Sequence, residues 1–208
     1  MAEPVTVVWC DVGGVLTSPV ADAARGLVDA AGLTWTELWE AIDEVAARFG
    51  LTGMGPLETG LLSQSEWGTR VTELLPRRPR IDLRRWDEHW YAGRAPNPDL
   101  LAGLATLRST GVRVGLLTNS VREWEPHRAL LFDERDFDGV VRSHDLGVRK
   151  PDPRIYAEAE RILPAPVTAT LLVDDTDENC AAARARGWRA VHHIDTAKTI
   201  AELLRACV

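Results

Sequence analysis

The segment Val5–Cys10, with the sequence VTVVWC, constrains the fold of this chain more than any other feature. It is rich in β-branched residues, and neither alternate set of side chains is polar. Such a strand must be covered on both faces, as in the centre of a parallel sheet. Similar runs at 112–117 and 168–173 each end in polar residues and precede a helical pattern, and shorter ones lie at 140–141 and 189–192. Strands that alternate with helices predict an α/β fold with a doubly wound parallel sheet.

The region between residue 20 and about residue 90 has a different pattern. Residues 21–31, 35–49 and 65–75 carry apolar positions at helical spacing, and no buried strand is visible among them. The chain returns through Gly93–Pro98, whose glycine and prolines suit a connector. We therefore predict an α/β core formed by residues 1–19 and 92–208, with a small all-helical cap, residues 20–91, inserted after the first strand.

Composition excludes several classes of protein. A formal net charge of -7 argues against nonspecific binding to nucleic acid, which requires a basic face. No apolar run is long enough to cross a bilayer, and the first residues lack the pattern of a secretory signal. Cys10, Cys180 and Cys207 have neither disulfide-framework nor zinc-ligand spacing. These observations predict a cytoplasmic protein that binds no membrane and has a small molecule as its partner.

The polar residues at the predicted strand ends are the candidate functional residues. Asp11 ends the first strand and precedes Gly13 and Gly14, which permit close approach of the backbone. Thr118 and Asn119 end the second long strand and could bind phosphate oxygens or cap the next helix. Each signal alone is weak, because turn and cap residues have the same composition. In a parallel sheet, however, such strand ends converge on one crevice.

Three further charged residues belong to the same set. Lys150 precedes Pro151, which keeps it outside a helix, although a solvated lysine is the simpler interpretation. Asp174 and Asp175 end the third long strand, where two adjacent acids repel unless a cation or a helix N-terminus stabilises them. Three carboxylates would be neutralised by the Lys150 ammonium and one Mg²⁺, an ion that binds a few carboxylates together with a substrate phosphate. Phosphoryl transfer is the matching chemistry.

The motifs DVGGVLT, LLTNS, GVRKPDPRIY and LLVDDTDENCAAARARGW, in this order, resemble the four motifs of haloacid dehalogenase superfamily phosphatases. The likeness covers the whole predicted core, and the helical segment is similar to the C1-type cap of subfamily I. The resemblance implies a phosphatase that acts on a small phosphorylated metabolite. It also implies Mg²⁺ as the cofactor.

The resemblance assigns a role to each candidate residue. Asp11 would attack phosphorus to form an aspartyl-phosphate, Thr118 and the backbone amide of Asn119 would bind the phosphoryl oxygens, and Lys150 would neutralise charge. Asp11, the Gly13 carbonyl and Asp175 would bind the metal directly, and Asp174 would act mainly through a metal-bound water. Asn179 would brace the acidic loop.

One position departs from the family pattern. Phosphatases of this family usually carry an aspartate two residues after the nucleophile as general acid and base, and Gly13 stands there. General acid-base assistance contributes about 10²–10⁴ in rate, so most of the catalysis can survive its loss. Two alternatives stay open: a 2-haloacid dehalogenase, against which the Asp174-Asp175 pair argues, and a catalytically silent ligand-binding protein, for which Gly13 argues.

Other conspicuous residues have structural interpretations. Trp35 and Trp39, and Trp86 and Trp90, have the i,i+4 spacing of packing residues, whereas Trp124 is the tryptophan most expected near a substrate entrance. The arginines between Pro76 and Arg85 are expected to form a solvated face. The histidines lack metal-ligand spacing, although one could supply the missing acid; they are His89, His127, His144, His192 and His193.

Overall fold

The computed structural model describes residues 3–207 and contains a five-stranded sheet in which every strand pairs in parallel. The strands are β1 (Val7–Cys10), β2 (Arg113–Thr118), β3 (Gly139–Arg142), β4 (Thr170–Asp174) and β5 (Arg189–His192), in the spatial order β3-β2-β1-β4-β5. The predicted α/β fold with a parallel sheet is confirmed. β1 lies at the centre, as its apolar sequence requires.

Helices cover both faces of the sheet and fill the segment after β1. They are α1 (Val20–Ala31), α2 (Trp35–Ala47), α3 (Gly55–Glu58), α4 (Gln64–Leu74), α5 (Asp87–Trp90), α6 (Pro98–Ser109), α7 (Glu125–Arg128), α8 (Ser143–Leu146), α9 (Pro153–Ile162), α10 (Asp177–Ala185) and α11 (Thr196–Cys207). Short 3₁₀ turns lie at Leu83–Arg85, Arg122–Trp124, Glu134–Asp136 and Val167–Ala169. Among the described residues, no helix is long and apolar enough to span a membrane.

Side chains of β1 point alternately to the two faces of the sheet and so contribute to both layers of the core. Val8 and Cys10 pack on the face that carries α6 and α11, and Val7 and Trp9 pack on the face that carries α9 and α10. A third apolar cluster joins α1, α2 and α4 with Trp124 from beyond β2. The division into core and cap at residues 20 and 91 stays a prediction.

Local capping signals fix the starts of two helices in the inserted segment. Thr34 accepts a hydrogen bond from the Glu37 amide while the Glu37 carboxylate accepts one from the Thr34 amide, and Ser63 and Glu66 form the same pair. Such capping boxes satisfy amides that have no partner within the helix. They place the start of α2 at Trp35 and that of α4 at Gln64.

Candidate active site

The carboxyl ends of β1, β2 and β4 meet at one edge of the sheet because the strands are parallel. β1 leads into Asp11, β2 ends at Thr118, and β4 ends at Asp174, which Asp175 follows. Asp11, Asp174 and Asp175 each offer a carboxylate oxygen, and these oxygens lie within 4.8 Å of one another. The predicted convergence of the acids is thus present in the structure.

Lys150 lies between two of these acids and is only 2% exposed. Its Nζ is 2.9 Å from Asp11 Oδ1 and 2.6 Å from Asp174 Oδ2, and it donates a hydrogen bond to the Leu117 carbonyl at 2.7 Å. An ammonium has three protons, so each has a partner within the protein. A bound phosphate would have to share one of them.

Asn119 holds the loop that carries Lys150. Its side-chain Nδ2 donates to the Lys150 carbonyl at 3.1 Å, and its Oδ1 accepts from the Lys150 amide at 2.8 Å. The sequence suggested that Asn119 binds phosphate oxygens or caps a helix, and the family resemblance implied a role for its backbone amide. The side chain ties β2 to the lysine loop, and Thr118 beside it is buried at the cavity floor.

The two adjacent acids have different hydrogen-bond environments. Asp174 is fully buried, and its Oδ1 accepts from the Thr176 amide and from Asn179 Nδ2, each at 2.9 Å, while Oδ2 faces Lys150. Within residues 3–207, the Asp175 carboxylate accepts only a long hydrogen bond of 3.3 Å from the Thr176 hydroxyl. The oxygens of Asp175 are therefore more available than those of Asp174 to bind a cation. The hydrogen bond from Asn179 holds the Asp174 carboxylate in place.

The electrostatics of the cluster reflect three carboxylates beside one ammonium. Burial raises the pKa of Asp11 to about 7, Lys150 opposes this shift, and Asp174 and Asp175 add to it. Burial and the neighbouring Asp174 also raise the pKa of Asp175. Burial disfavours the charged form of Lys150, but Asp11 and Asp174 outweigh it and raise the pKa of the ammonium. The remaining negative charge is what a divalent cation would neutralise.

The two glycines after Asp11 have separate functions. Gly14 adopts φ +73°, and a Cβ added there would lie 2.1 Å from Asp175 Oδ2, so a side chain would displace that carboxylate. Gly13 is not in the left-handed region, and an added Cβ would lie 3.3 Å from Val20 Cγ2. The close approach suggested by the sequence thus occurs at Gly14, whereas position 13 is limited mainly by Val20.

A cavity of about 230 Å³ opens above the acids. Its floor contains Asp11, Gly13, Thr118 and Lys150, and an aromatic wall lies on the side of the helical segment. That wall, made of Trp90, Tyr91 and Trp124, is internally packed: the Trp90 and Trp124 rings stack at 5.2 Å, and the Tyr91 and Trp124 rings meet edge to face at 5.8 Å. Trp124 therefore lies at the cavity, as the sequence suggested.

Two polar residues of this region, Ser120 and Arg94, were not among the predicted site residues. Ser120 lines the cavity, and its hydroxyl is 3.0 Å from Nδ1 of the buried His144. Arg94 also lines the cavity, although Gly93–Pro98 suggested only a connector. A charged residue within a glycine- and proline-rich connector is the signal that could have identified it.

Replacement of Lys150 by methionine is expected to lower the free energy of unfolding by about 3–5 kcal/mol, the usual cost of removing one partner from a buried ion pair. The reason is that Asp11 and Asp174 would lose their shared cation. Urea denaturation in EDTA measures the effect. Lys198, the only other lysine in the sequence and an exposed one, gives the matched control Lys198→Met, which should change stability little. Equal stability of the two variants would contradict the prediction.

Comparison with known proteins identifies relatives over most of the chain. A family model described as haloacid dehalogenase-like hydrolase matches residues 5–187. The sesquiterpene phosphatase astK of Aspergillus oryzae is 31% identical over 196 residues, which cover 93% of this chain and 92% of that protein. A plasmid-encoded phosphoglycolate phosphatase of Cupriavidus necator is 30% identical over 190 residues, which cover 88% of this chain and 78% of that protein.

Solved structures share the fold at lower identity. A predicted HAD-like family hydrolase from Porphyromonas gingivalis aligns with a TM-score of 0.73 at 20% identity, covering 98% of this chain and 99% of its own. A HAD family enzyme from Bacteroides thetaiotaomicron, in complex with magnesium and inorganic phosphate, aligns with a TM-score of 0.64 at 20% identity, covering 90% of this chain and 93% of its own.

Proposed function

This chain belongs to the haloacid dehalogenase-like hydrolase family, and we propose that it is a magnesium-dependent phosphatase that hydrolyses small organic phosphates through a covalent intermediate on Asp11. The observation that carries the proposal is the cluster of Asp11, Asp174 and Asp175 around a single ammonium. A dehalogenase has no need for a divalent cation, whereas a phosphate dianion can share one with these acids. The phosphatase names of the two relatives support the same chemistry.

The donor set fits Mg²⁺, which takes oxygen ligands and retains several waters. Asp175 would bind the ion directly because its oxygens are nearly free, and Asp11 would contribute the oxygen that does not face Lys150. The Gly13 carbonyl would complete the protein ligands. Asp174 would act through a bound water, since hydrogen bonds and Lys150 already occupy both of its oxygens. When bound, the ion would neutralise charge on the transferred phosphoryl group.

The residues of the chain would then perform two displacements. An Asp11 oxygen bonds to phosphorus while the bond from phosphorus to the leaving oxygen breaks, and water later attacks the phosphoryl group to release phosphate and regenerate the carboxylate. Thr118 and the Asn119 amide would hold the phosphoryl oxygens. Lys150 would balance charge at the attacking carboxylate, which it contacts at 2.9 Å.

The aromatic wall bears on the organic part of the substrate. Trp90, Tyr91 and Trp124 offer apolar ring surface a short distance from the phosphoryl site. Apolar surface of this kind favours burial of a carbon skeleton. One relative is named for a terpene substrate and the other for phosphoglycolate, so both substrate types belong in the test.

A substrate screen tests the proposal. Purified protein is assayed with terpenyl, aryl, sugar and carboxylate-bearing phosphates and with 2-haloacids, each in Mg²⁺ and in EDTA. Mg²⁺-dependent phosphate release supports the proposal. Metal-independent release of halide would show that the protein is a dehalogenase. Ligand binding without activity on any compound would show that it is a catalytically silent member of the family.

Asp175→Ala is expected to weaken Mg²⁺ binding more than Asp174→Asn does, because Asp175 has free oxygens and Asp174 has none. Loss of a supporting group near a metal typically costs about 10–100-fold in affinity, and loss of a direct ligand should exceed this range. Isothermal titration calorimetry measures both. Asp177→Ala removes an exposed acid from the first turn of α10 and is the matched control. An unchanged Mg²⁺ affinity in Asp175→Ala would show that Asp175 does not bind the metal.

A further inference from the structure

Arg94 is one of two arginines that line the cavity in addition to Lys150. It follows α5 in the connector, and its Nη2 donates to the Thr17 hydroxyl at 2.6 Å and to the Ser18 carbonyl at 3.0 Å. Its guanidinium carbon lies 5.7 Å from the Tyr91 ring centroid and 6.0 Å from that of Trp90. All of these contacts are to neutral groups.

No carboxylate in residues 3–207 lies within ion-pair distance, 4.0 Å, of Arg94, and its Nε is buried without a hydrogen-bond partner. The other arginine that lines the cavity, Arg128, is paired with Glu125 and Glu134. Removing a charge from water is costly unless an opposite charge compensates it. Burial accordingly lowers the pKa of Arg94, while the field of Asp11 and Asp175 partly opposes this shift. Among residues 3–207, Arg94 is therefore the arginine of the cavity that has no ion-pair partner.

The other charges at the site indicate which group would neutralise the charge of Arg94. The carboxylates of Asp11, Asp174 and Asp175 are balanced by Lys150 and the proposed Mg²⁺. With those charges balanced, no carboxylate of the cluster is left to neutralise Arg94. A phosphate ester would bring negative charge of its own into the cavity. The bound substrate would thus supply the missing partner.

Arg94 is linked by hydrogen bonds to the turn that contains Gly13. Thr17, which accepts its hydrogen bond, donates in turn to the Val12 carbonyl at 3.1 Å, so the guanidinium is anchored on the turn that contains Gly13. Gly13 and Arg94 line the same cavity as Asp11. The family's usual acid would protonate the leaving oxygen from position 13, and Arg94 is held through Thr17 on the turn that carries this position.

We propose that Arg94 is a further catalytic residue, which stabilises the negative charge on the leaving oxygen in place of the acid absent at Gly13; this inference rests on the proposed function. As the bond from phosphorus to oxygen breaks, its electron pair goes to the leaving oxygen, which accepts a hydrogen bond from the guanidinium. Arg94 keeps its proton, and solvent water protonates the alkoxide. A preorganised donor of this kind contributes about 10²–10³ in kcat.

The test is a series of phosphate monoesters whose leaving alcohols range from phenols to simple alkanols. In Arg94→Met we expect kcat/KM for alkyl esters to fall by about 10²–10³, and that for aryl esters to fall much less, because phenoxides need little stabilisation. A plot of log kcat/KM against leaving-group pKa should steepen. Arg94→Lys keeps a cation and should retain part of the effect, and it also serves if Arg94→Met does not fold. Arg161→Met, at an exposed arginine paired with Glu158, is the control.

Other outcomes would overturn the proposal. An equal loss across the whole series, reproduced by Thr17→Val, would mean that Arg94 only braces the connector. A loss confined to substrates with a second anionic group would make Arg94 a binding residue for that group. Absence of wild-type activity on every ester would instead refute the phosphatase function, whereas an active wild type with an unchanged slope in Arg94→Met refutes only the role of Arg94.

Discussion

Asp11→Asn is expected to abolish phosphatase turnover, with a loss on the order of 10⁴–10⁶-fold in kcat, because the amide cannot attack phosphorus. The side chains are nearly isosteric, so the hydrogen-bond geometry around Lys150 can persist. Steady-state phosphate release measures the loss. Mass spectrometry of acid-quenched wild-type protein should in parallel find a phosphoryl group on the peptide that contains Asp11.

The same variant should not lose stability. The folded pKa of Asp11 is raised to about 7, above its ordinary value of 3.8, so ionisation of this carboxyl destabilises the fold, and at pH 8 that cost is fully present. Asp11→Asn removes the charge, and its free energy of unfolding in EDTA at pH 8 should equal or exceed that of the wild type. Asp177→Asn, at an exposed acid, controls for the change in net charge. Retained turnover in Asp11→Asn would rule out the covalent mechanism.

The fold follows from the sequence because the three central strands, β1, β2 and β4, are buried on both faces. The apolar run at 5–10 contains β1, and the run at 112–117 contains β2 except for its last residue, Thr118, since a continuous apolar stretch can be satisfied only inside the sheet. The less apolar run at 189–192 coincides with the edge strand β5. The run at 168–173 is offset: residues Val167–Ala169 form a 3₁₀ turn after Pro166, and β4 begins at Thr170. Hydrophobic pattern records burial and not hydrogen bonding, so it cannot place such a boundary.

The part of the site that the sequence predicts is the part whose position follows from the order and direction of the strands. Asp11, Thr118 and Asp174 converge because parallel strands end at one edge, whatever their separation along the chain. The bond from Asn119 to Lys150 spans 31 residues, and that from Arg94 to Thr17 spans 77. No local pattern encodes such contacts, because they depend on how the connector and loops return to the sheet.

Gly13→Asp is expected to raise kcat/KM for alkyl phosphates by up to the range of general acid catalysis, about 10²–10⁴-fold, and to matter less for aryl phosphates. The reason is that simple alkoxides are poor leaving groups without a proton, whereas phenoxides leave readily. Wild-type rates should therefore depend on leaving-group acidity, with aryl, acyl and sugar 1-phosphates hydrolysed faster than alkyl monoesters of similar size. The aspartate should flatten this dependence.

The structure defines the steric condition for that gain. The backbone of Gly13 lies outside the left-handed region, so aspartate is conformationally acceptable there, but its Cβ would lie 3.3 Å from Val20 Cγ2. We therefore expect the double variant Gly13→Asp with Val20→Ala to exceed Gly13→Asp alone, and Val20→Ala alone to leave the slope unchanged. If the wild-type plot of log kcat/KM against leaving-group pKa is already flat, another residue supplies the proton. The buried His144 behind Ser120 would then be the group to replace first.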